Sequence, residues 1–377
     1  MRAIRMIPLL LLALLLGGCG VGDAVENQAY ALVMGIDRLE GGALELTVRL
    51  PRIGPSKSGD DSGKEGEYLL VSANGDDWDM ALEVLQWATP RELNLSQLKL
   101  LAISSELAGE PGFPELTRRV AATHHLYTAA RLVVCEGSAK SFVTGQEVIM
   151  GARLSSEITA MFDHYAEHGY IPDATFADLC YTGMSIYSDP VAIWGFPSDA
   201  SAEEAKAAAA LIRPEWDLAT RVETPAERNY LGAALFREGR CVGRLDARET
   251  LYYNLVAGRS RAFSYGYDGG SCTLTQTRGP RKSVQIDETG VRICLMLSYA
   301  TIDPLTPDQT EAMEADLAEG IRTLISKCQE MEVEPFGFAQ KAARRFLTIP
   351  EWLAFDWRAR FAAAEIDVRV EVQSTVA

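Results

Sequence analysis

An apolar run and then a strict alternation mark the first elements of this chain. Tyr30–Asp37 reads as an apolar strand and Gly41-Gly42 as a hairpin turn. Leu44, Leu46, Val48 and Leu50 then share one face of a strand, with Glu45, Thr47 and Arg49 on the other. Residues 54–66 are rich in Gly, Ser and charge and read as a loop. A strand at Tyr68–Ser72 precedes a helix from about Trp78 to Thr89, with Ala81, Val84, Leu85 and Ala88 on its predicted inner face. Leu98–Ile103 is a compact apolar run, read as a buried strand. A helix near Pro114–Thr123 and a strand at Ala130–Cys135 complete a β-β-α-β-α-β order. Residues 138–168 read as mainly helical and 169–197 as loop with short strands.

An alanine-rich and then polar stretch over 198–229 suits a connector. Beyond it, Leu231–Phe236 and Cys241–Leu245 flank the turn Arg237–Arg240 as a hairpin, and Val291, Ile293, Leu295, Leu297 and Tyr299 alternate as a strand. Thr306-Pro307-Asp308-Gln309 is a capping box. It opens a helix striped by Met313, Leu317, Ile321, Leu324, Ile325 and Cys328. A further helix covers about Phe336–Leu347, and the chain closes on a strand with Ile366, Val368, Val370 and Val372 on one face. The expected fold class is α+β and multi-domain, with mixed or antiparallel sheets packed with helices. Its segments are a signal peptide (1–18), an N-terminal α+β part (19–197), a connector (198–229) and a C-terminal α+β domain (230–377).

The N-terminus adds an address. Arg2 and Arg5 precede the unbroken apolar run Met6–Leu16, and Leu16-Gly17-Gly18-Cys19 follows. That run spans about 16 Å as a helix, roughly half a bilayer core, and fits a secretory signal. Small residues before Cys19 resemble a lipobox, so Cys19 is the expected lipidation site and mature N-terminus. Six further cysteines, Cys135, Cys180, Cys241, Cys272, Cys294 and Cys328, form no CxxC pair and give no support to zinc or thioredoxin-like chemistry. Export permits disulfides; Cys135 and Cys294 lie in apolar strand runs that suit buried thiols. The net charge of −16 disfavours nucleic acid and direct binding of anionic headgroups.

The chain carries few motifs of chemistry. Gly59–Lys64 is one residue short of a phosphate loop, with Glu65 where the magnesium-binding hydroxyl belongs, and reads as a solvated loop. There is no GxGxxG, GxSxG or HExxH. His164 and His168 share a helix face with Asp163 and Glu167 nearby, which a metallohydrolase could use; the run reads better as an exposed face. His124-His125 would point apart on a helix, Asp76-Asp77 suit a helix N-cap, and Trp352, Phe355, Trp357 and Phe361 suit core or interface better than a ligand cage. No catalytic residue, metal or cofactor is expected.

The ordered blocks of this chain resemble the Ger(x)C lipoproteins, C subunits of nutrient germinant receptors in endospore-forming bacteria. The resemblance is carried by the lipobox, Glu26 with Tyr30–Asp37, Ser72-Ala73-Asn74-Gly75 with the following helix, and Arg91–Lys99. It continues through Gly232–Phe236 with Gly243-Arg244-Leu245, then Gln329, Phe336-Gly337, Trp352, Trp357 and Phe361. Gly20-Val21 stand where the family has Trp-Asp, and Glu334 where it has aspartate. The resemblance implies three α+β domains and a non-enzymatic role on the outer face of the spore's inner (cytoplasmic) membrane. The implied partners are integral-membrane A and B subunits, the lipid of Cys19 binding the bilayer. An alternative is a solute-binding lipoprotein capturing a small germinant or nutrient. Such proteins have two doubly wound lobes, which the alternating strands fit poorly.

Overall fold

The computed structural model describes residues 27–51, 68–146, 153–197, 228–267 and 270–374. The signal peptide, Cys19, the 54–66 loop and most of the 198–229 connector lie outside the described residues.

An eight-stranded mixed sheet dominates the first two-thirds. Its strands are β2 (Val33–Arg38), β3 (Leu44–Pro51), β4 (Tyr68–Gly75), β6 (Leu100–Ser104), β7 (Arg131–Cys135), β8 (Val191–Pro197), β9 (Arg228–Arg237) and β10 (Arg240–Leu245), in the order β10-β9-β8-β7-β6-β2-β3-β4. The central neighbours β8, β7, β6 and β2 run parallel, and both flanks are antiparallel hairpins. Parallel strands covered on both faces need apolar residues at every position, which is why Leu100–Ile103 and Leu132–Val134 are unbroken apolar runs. Two short parallel strands, β1 (Gln28–Tyr30) and β5 (Glu92–Asn94), form a separate ribbon.

One face of this sheet is covered by α1 (Trp78–Trp87), α2 (Ser105–Gly109), α3 (Phe113–Ala121) and α6 (Phe176–Gly183). The α1 face that goes inward is Trp78, Ala81 and Leu85; Val84 and Ala88, predicted to join it, are exposed, Ala88 as the helix C-cap. Asp77 is the α1 N-cap, accepting from the Met80 N–H at 2.9 Å. Helix α6 falls in the stretch read as loop; its signal was the capping box Thr175–Asp178. The other face carries α4 (Ala139–Thr144), α5 (Leu154–Glu167) and α7 (Ala247–Ala257).

A second sheet has the order β11-β12-β13-β14: β11 (Ala262–Tyr267), β12 (Gly270–Asp287), β13 (Gly290–Thr301) and β14 (Glu365–Ser374). The first three are antiparallel, and β14 returns parallel to β13 after four helices. These are α8 (Pro307–Glu330), α9 (Phe338–Ala343), α10 (Ile349–Ala354) and α11 (Trp357–Ala362). The predicted capping box of α8 is present, and its predicted stripe is buried from Met313 to Cys328. The fold is thus α+β with mixed sheets.

The cores do not follow the sequence segments. The β9–β10 hairpin, at the head of the predicted C-terminal domain, pairs with β8 and completes the first sheet. Its turn, Glu238-Gly239, has both φ angles positive (54° and 78°), matching the twist of a two-residue hairpin. Helix α7 is buried on nearly every side and belongs to one hydrophobic cluster joining the first sheet's face to the whole second sheet.

Several residues of the recognisable blocks make this packing possible. A Cβ at Gly35 would lie 2.9 Å from Val143 Cγ2 and 3.0 Å from the Ala139 carbonyl oxygen, so glycine lets α4 sit on β2. The buried Asp37 carboxylate then accepts the Ala139 and Lys140 N–H groups at 2.7 Å each and caps that helix from outside. Gln329 Nε2 donates to the Phe361 and Ala364 carbonyls at 2.8 and 2.9 Å, fixing the turn from α11 into β14.

Candidate functional site

A cluster of buried and half-buried charge lies where the segment 185–190, before β8, meets the segment 331–337, before α9. These segments are about 145 residues apart and clasp each other through one backbone pair and the Asp189 carboxylate. The Asp189 N–H donates to the Glu334 carbonyl at 3.0 Å, and the Glu334 N–H donates to Asp189 Oδ2 at 2.8 Å. Arg358 reaches in from α11, donating to Asp189 Oδ1 at 3.2 Å and to the Glu332 carbonyl at 2.7 Å. Arg237 on β9 donates to the Met331 carbonyl at 3.1 Å.

Glu334 turns its side chain inward. Oε1 accepts the Phe336 and Phe338 N–H groups at 2.9 and 3.1 Å, and Oε2 accepts that of Ala339 at 2.9 Å. The carboxyl therefore caps the first turn of α9, whose entry at Gly337 takes a left-handed φ of 75°. Burial pushes the Glu334 carboxyl up to about 7; the three N–H donors oppose the rise and the Asp189 charge adds to it. Burial also raises Asp189, against the Glu334 N–H and Arg358. Lys282 on β12 donates to the Phe336 carbonyl at 2.7 Å, and burial brings its ammonium down to about 8 against the attraction of Glu334.

Stacked rings close over this cluster. Trp352 lies 5.8 Å from Trp357 and 5.8 Å from Tyr187, and Trp357 lies 6.2 Å from Phe361. The Trp352 indole N–H donates to the Ile186 carbonyl at 3.2 Å, a second tie across the seam. Trp352, Trp357 and Phe361 are buried and Phe355 is half-buried against them, so the aromatic group is core. Two clefts flank the seam. One of about 180 Å³ is lined by Ile186, Asp189, Trp352, Leu353, Trp357 and Arg358 among others. The other, of about 400 Å³, is lined by Asp178, Tyr181, Arg259, Lys282 and Gln340 among others. Tyr181, Ile186 and Leu353 expose much of their apolar surface there.

The arrangement can hold two parts of the chain in one geometry and offer a mixed apolar and polar rim; it contains no nucleophile–base pair. His164 and His168 are exposed on α5 and at its end, with rings 4.3 Å apart, while Asp163 is engaged by Arg131 at 2.8 Å. Among the described residues no group of three or more His, Cys, Asp or Glu is placed to hold a metal. His124-His125 lie beyond the end of α3, rings 5.5 Å apart, with His125 at a positive φ of 59°. All six cysteines after Cys19 are free thiols, Cys135, Cys272 and Cys328 being buried. Sequence reasoning missed the Asp189–Glu334 pairing; its one signal was glutamate standing where the family resemblance led to aspartate.

The comparisons with known proteins find two family models along the chain. A family model described as Spore germination protein N-terminal domain matches residues 23–193. One described as Spore germination B3/GerAC like, C-terminal, matches residues 231–375. The chain belongs to the Ger(x)C family of spore germination proteins. Among solved structures it is similar to the crystal structure of the GerBC protein, with a TM-score of 0.52 and 12% identity, covering 90% of this chain and 96% of that one. At that identity the likeness concerns the fold alone. No curated protein matches the chain. In this Ger(x)C fold the second family model begins inside β9, a strand of the first sheet.

Proposed function

We propose that this chain is the C subunit of a spore nutrient germinant receptor, acting by protein–protein contact and without catalysis. In this reading Cys19 is lipidated and holds the body on the outer face of the cytoplasmic (spore inner) membrane, beside integral-membrane A and B subunits. The observation that carries it is the pair of spore-germination family models, in order, over most of the chain. The lipobox-like Leu16–Cys19 and the apolar side chains exposed beside the seam clefts support the anchoring and the contact role. Cys19→Ala in a spore-former lacking paralogous receptors should slow nutrient-triggered germination and leave dodecylamine-triggered germination unchanged. Normal nutrient germination in that strain would refute the reading.

A further inference from the structure

Helix α1 is apolar on two sides. Trp78, Ala81 and Leu85 face the core, while Met80, Val84 and Trp87, at helical positions i, i+4 and i+7, form an outward stripe with exposures of 52%, 38% and 80%. A helix that covers a sheet is ordinarily polar on its outer side. Trp78, Trp194, Trp352 and Trp357 are buried, so among the described tryptophans Trp87 is the exposed one.

The C-terminal end of α1 is tied to the place where the body begins. Gln86 Oε1 accepts the Leu93 N–H at 2.7 Å, and its Nε2 donates to the Arg91 carbonyl at 3.0 Å. Leu93 is the register partner of Ala29 in the β1–β5 ribbon, and Gln28 there exchanges hydrogen bonds with Glu92 at 2.9 Å and Asn94 at 2.7 Å. Cys19 precedes Gln28 by nine residues, which span at most ~30 Å even when fully extended. A compact body of this length is roughly 50 Å across, so a lipid on Cys19 brings the bilayer to the end of the molecule that carries Trp87.

We propose that the α1 stripe of Met80, Val84 and Trp87 lies against the bilayer surface, with the Trp87 indole in the headgroup region. The inference rests on the lipidation of Cys19 proposed above. Indole suits that depth because it joins a large apolar ring to one N–H donor. The neighbouring acids are already engaged: Asp79 pairs with Arg119 at 2.5 Å, and Glu83 accepts the Trp87 indole N–H at 3.2 Å. With a net charge of −16 on the chain, the contact is apolar and does not depend on anionic lipid.

The test uses tryptophan quenching by brominated phosphatidylcholine vesicles, in a Trp216→Phe background because Trp216 lies outside the described residues. Two tethers are compared: the native lipidated chain, and the same chain with residues 1–19 replaced by a polyhistidine segment held on nickel-chelating lipid. Bromolipid should quench the emission in both, and Trp87→Phe should remove most of that quenching. Quenching that is absent, or unchanged by Trp87→Phe, on tethered protein overturns the contact and leaves the anchor standing. A native chain that does not bind vesicles, beside a polyhistidine-tethered one showing Trp87-dependent quenching, overturns the anchor and leaves the contact standing.

Discussion

Glu334 sits in the seam with its carboxyl raised to about 7 from an ordinary 4.5. Between those values the native state keeps a proton that the unfolded chain releases, so stability falls as pH rises through the window. The contribution is present in full below about pH 4.5 and gone above about pH 7. At ~1.4 kcal/mol per pH unit the difference is about 3 kcal/mol. Glu334→Gln removes the titration and keeps the shape, but its amide NH₂ cannot accept from the N–H groups that cap α9. At about pH 5 the variant should therefore be less stable by ~1–3 kcal/mol, the cost of leaving a buried N–H without an acceptor. By about pH 8 the wild type has lost its ~3 kcal/mol and the variant has lost none, so the deficit should vanish or reverse. Guanidinium unfolding followed by tryptophan emission reads this directly, since Trp352 and Trp357 stack over the seam. A deficit of constant size from about pH 5 to about pH 8 would show that Glu334 does not titrate there and would refute the argument.

Two further outcomes follow from the packing. A Cβ at Gly75 would lie 2.4 Å from the Ala81 backbone nitrogen, so Gly75→Ala must push α1 off β4. It should cost on the order of 1–3 kcal/mol, as other overpacked sites do, and wild-type-like unfolding midpoints would contradict it. A fragment of residues 230–377 would carry the β9–β10 hairpin with the edge that β8 covers laid bare. It should aggregate or bind an apolar dye on dilution, whereas a monomeric, cooperatively unfolding fragment would show that the second sheet stands alone.

Much of this fold was legible because its elements announce themselves by period. The striped α8 and the alternating β3 and β13 place one residue type on one face, and β6 and β7 stand out as unbroken apolar runs. Helix α7 was not legible for the opposite reason: from Thr250 to Val256 every residue is buried, and of its polar residues only Arg248 and Glu249, near its start, are partly exposed, which leaves too little polar face to set a period. Strand β12 was silent because it is long and mostly exposed, with few apolar positions to alternate. The parallel return of β14 could not be read, since alternation fixes which face a residue takes but not the direction of its neighbour. The seam was hidden by distance in sequence: nothing local to Asp189 or to Glu334 says that these two residues will meet.

The residues that make the family recognisable are, in this structure, residues that hold elements together. Gly35 and Asp37 seat and cap α4, Gly75 admits α1, Gln329 fixes the chain into β14, and Trp352, Trp357 and Phe361 build one stack. Each does its work by close approach or by satisfying buried backbone groups, and none of these tasks specifies a ligand or a partner. A family signature made of such residues identifies the fold and is blind to what the fold meets. If related chains serve different receptors, the differences belong on side chains that the packing leaves free, such as Tyr181, Ile186 and Leu353 beside the clefts. Those positions can change without disturbing a single scaffold contact named above, which makes them the places where partner choice is physically able to reside.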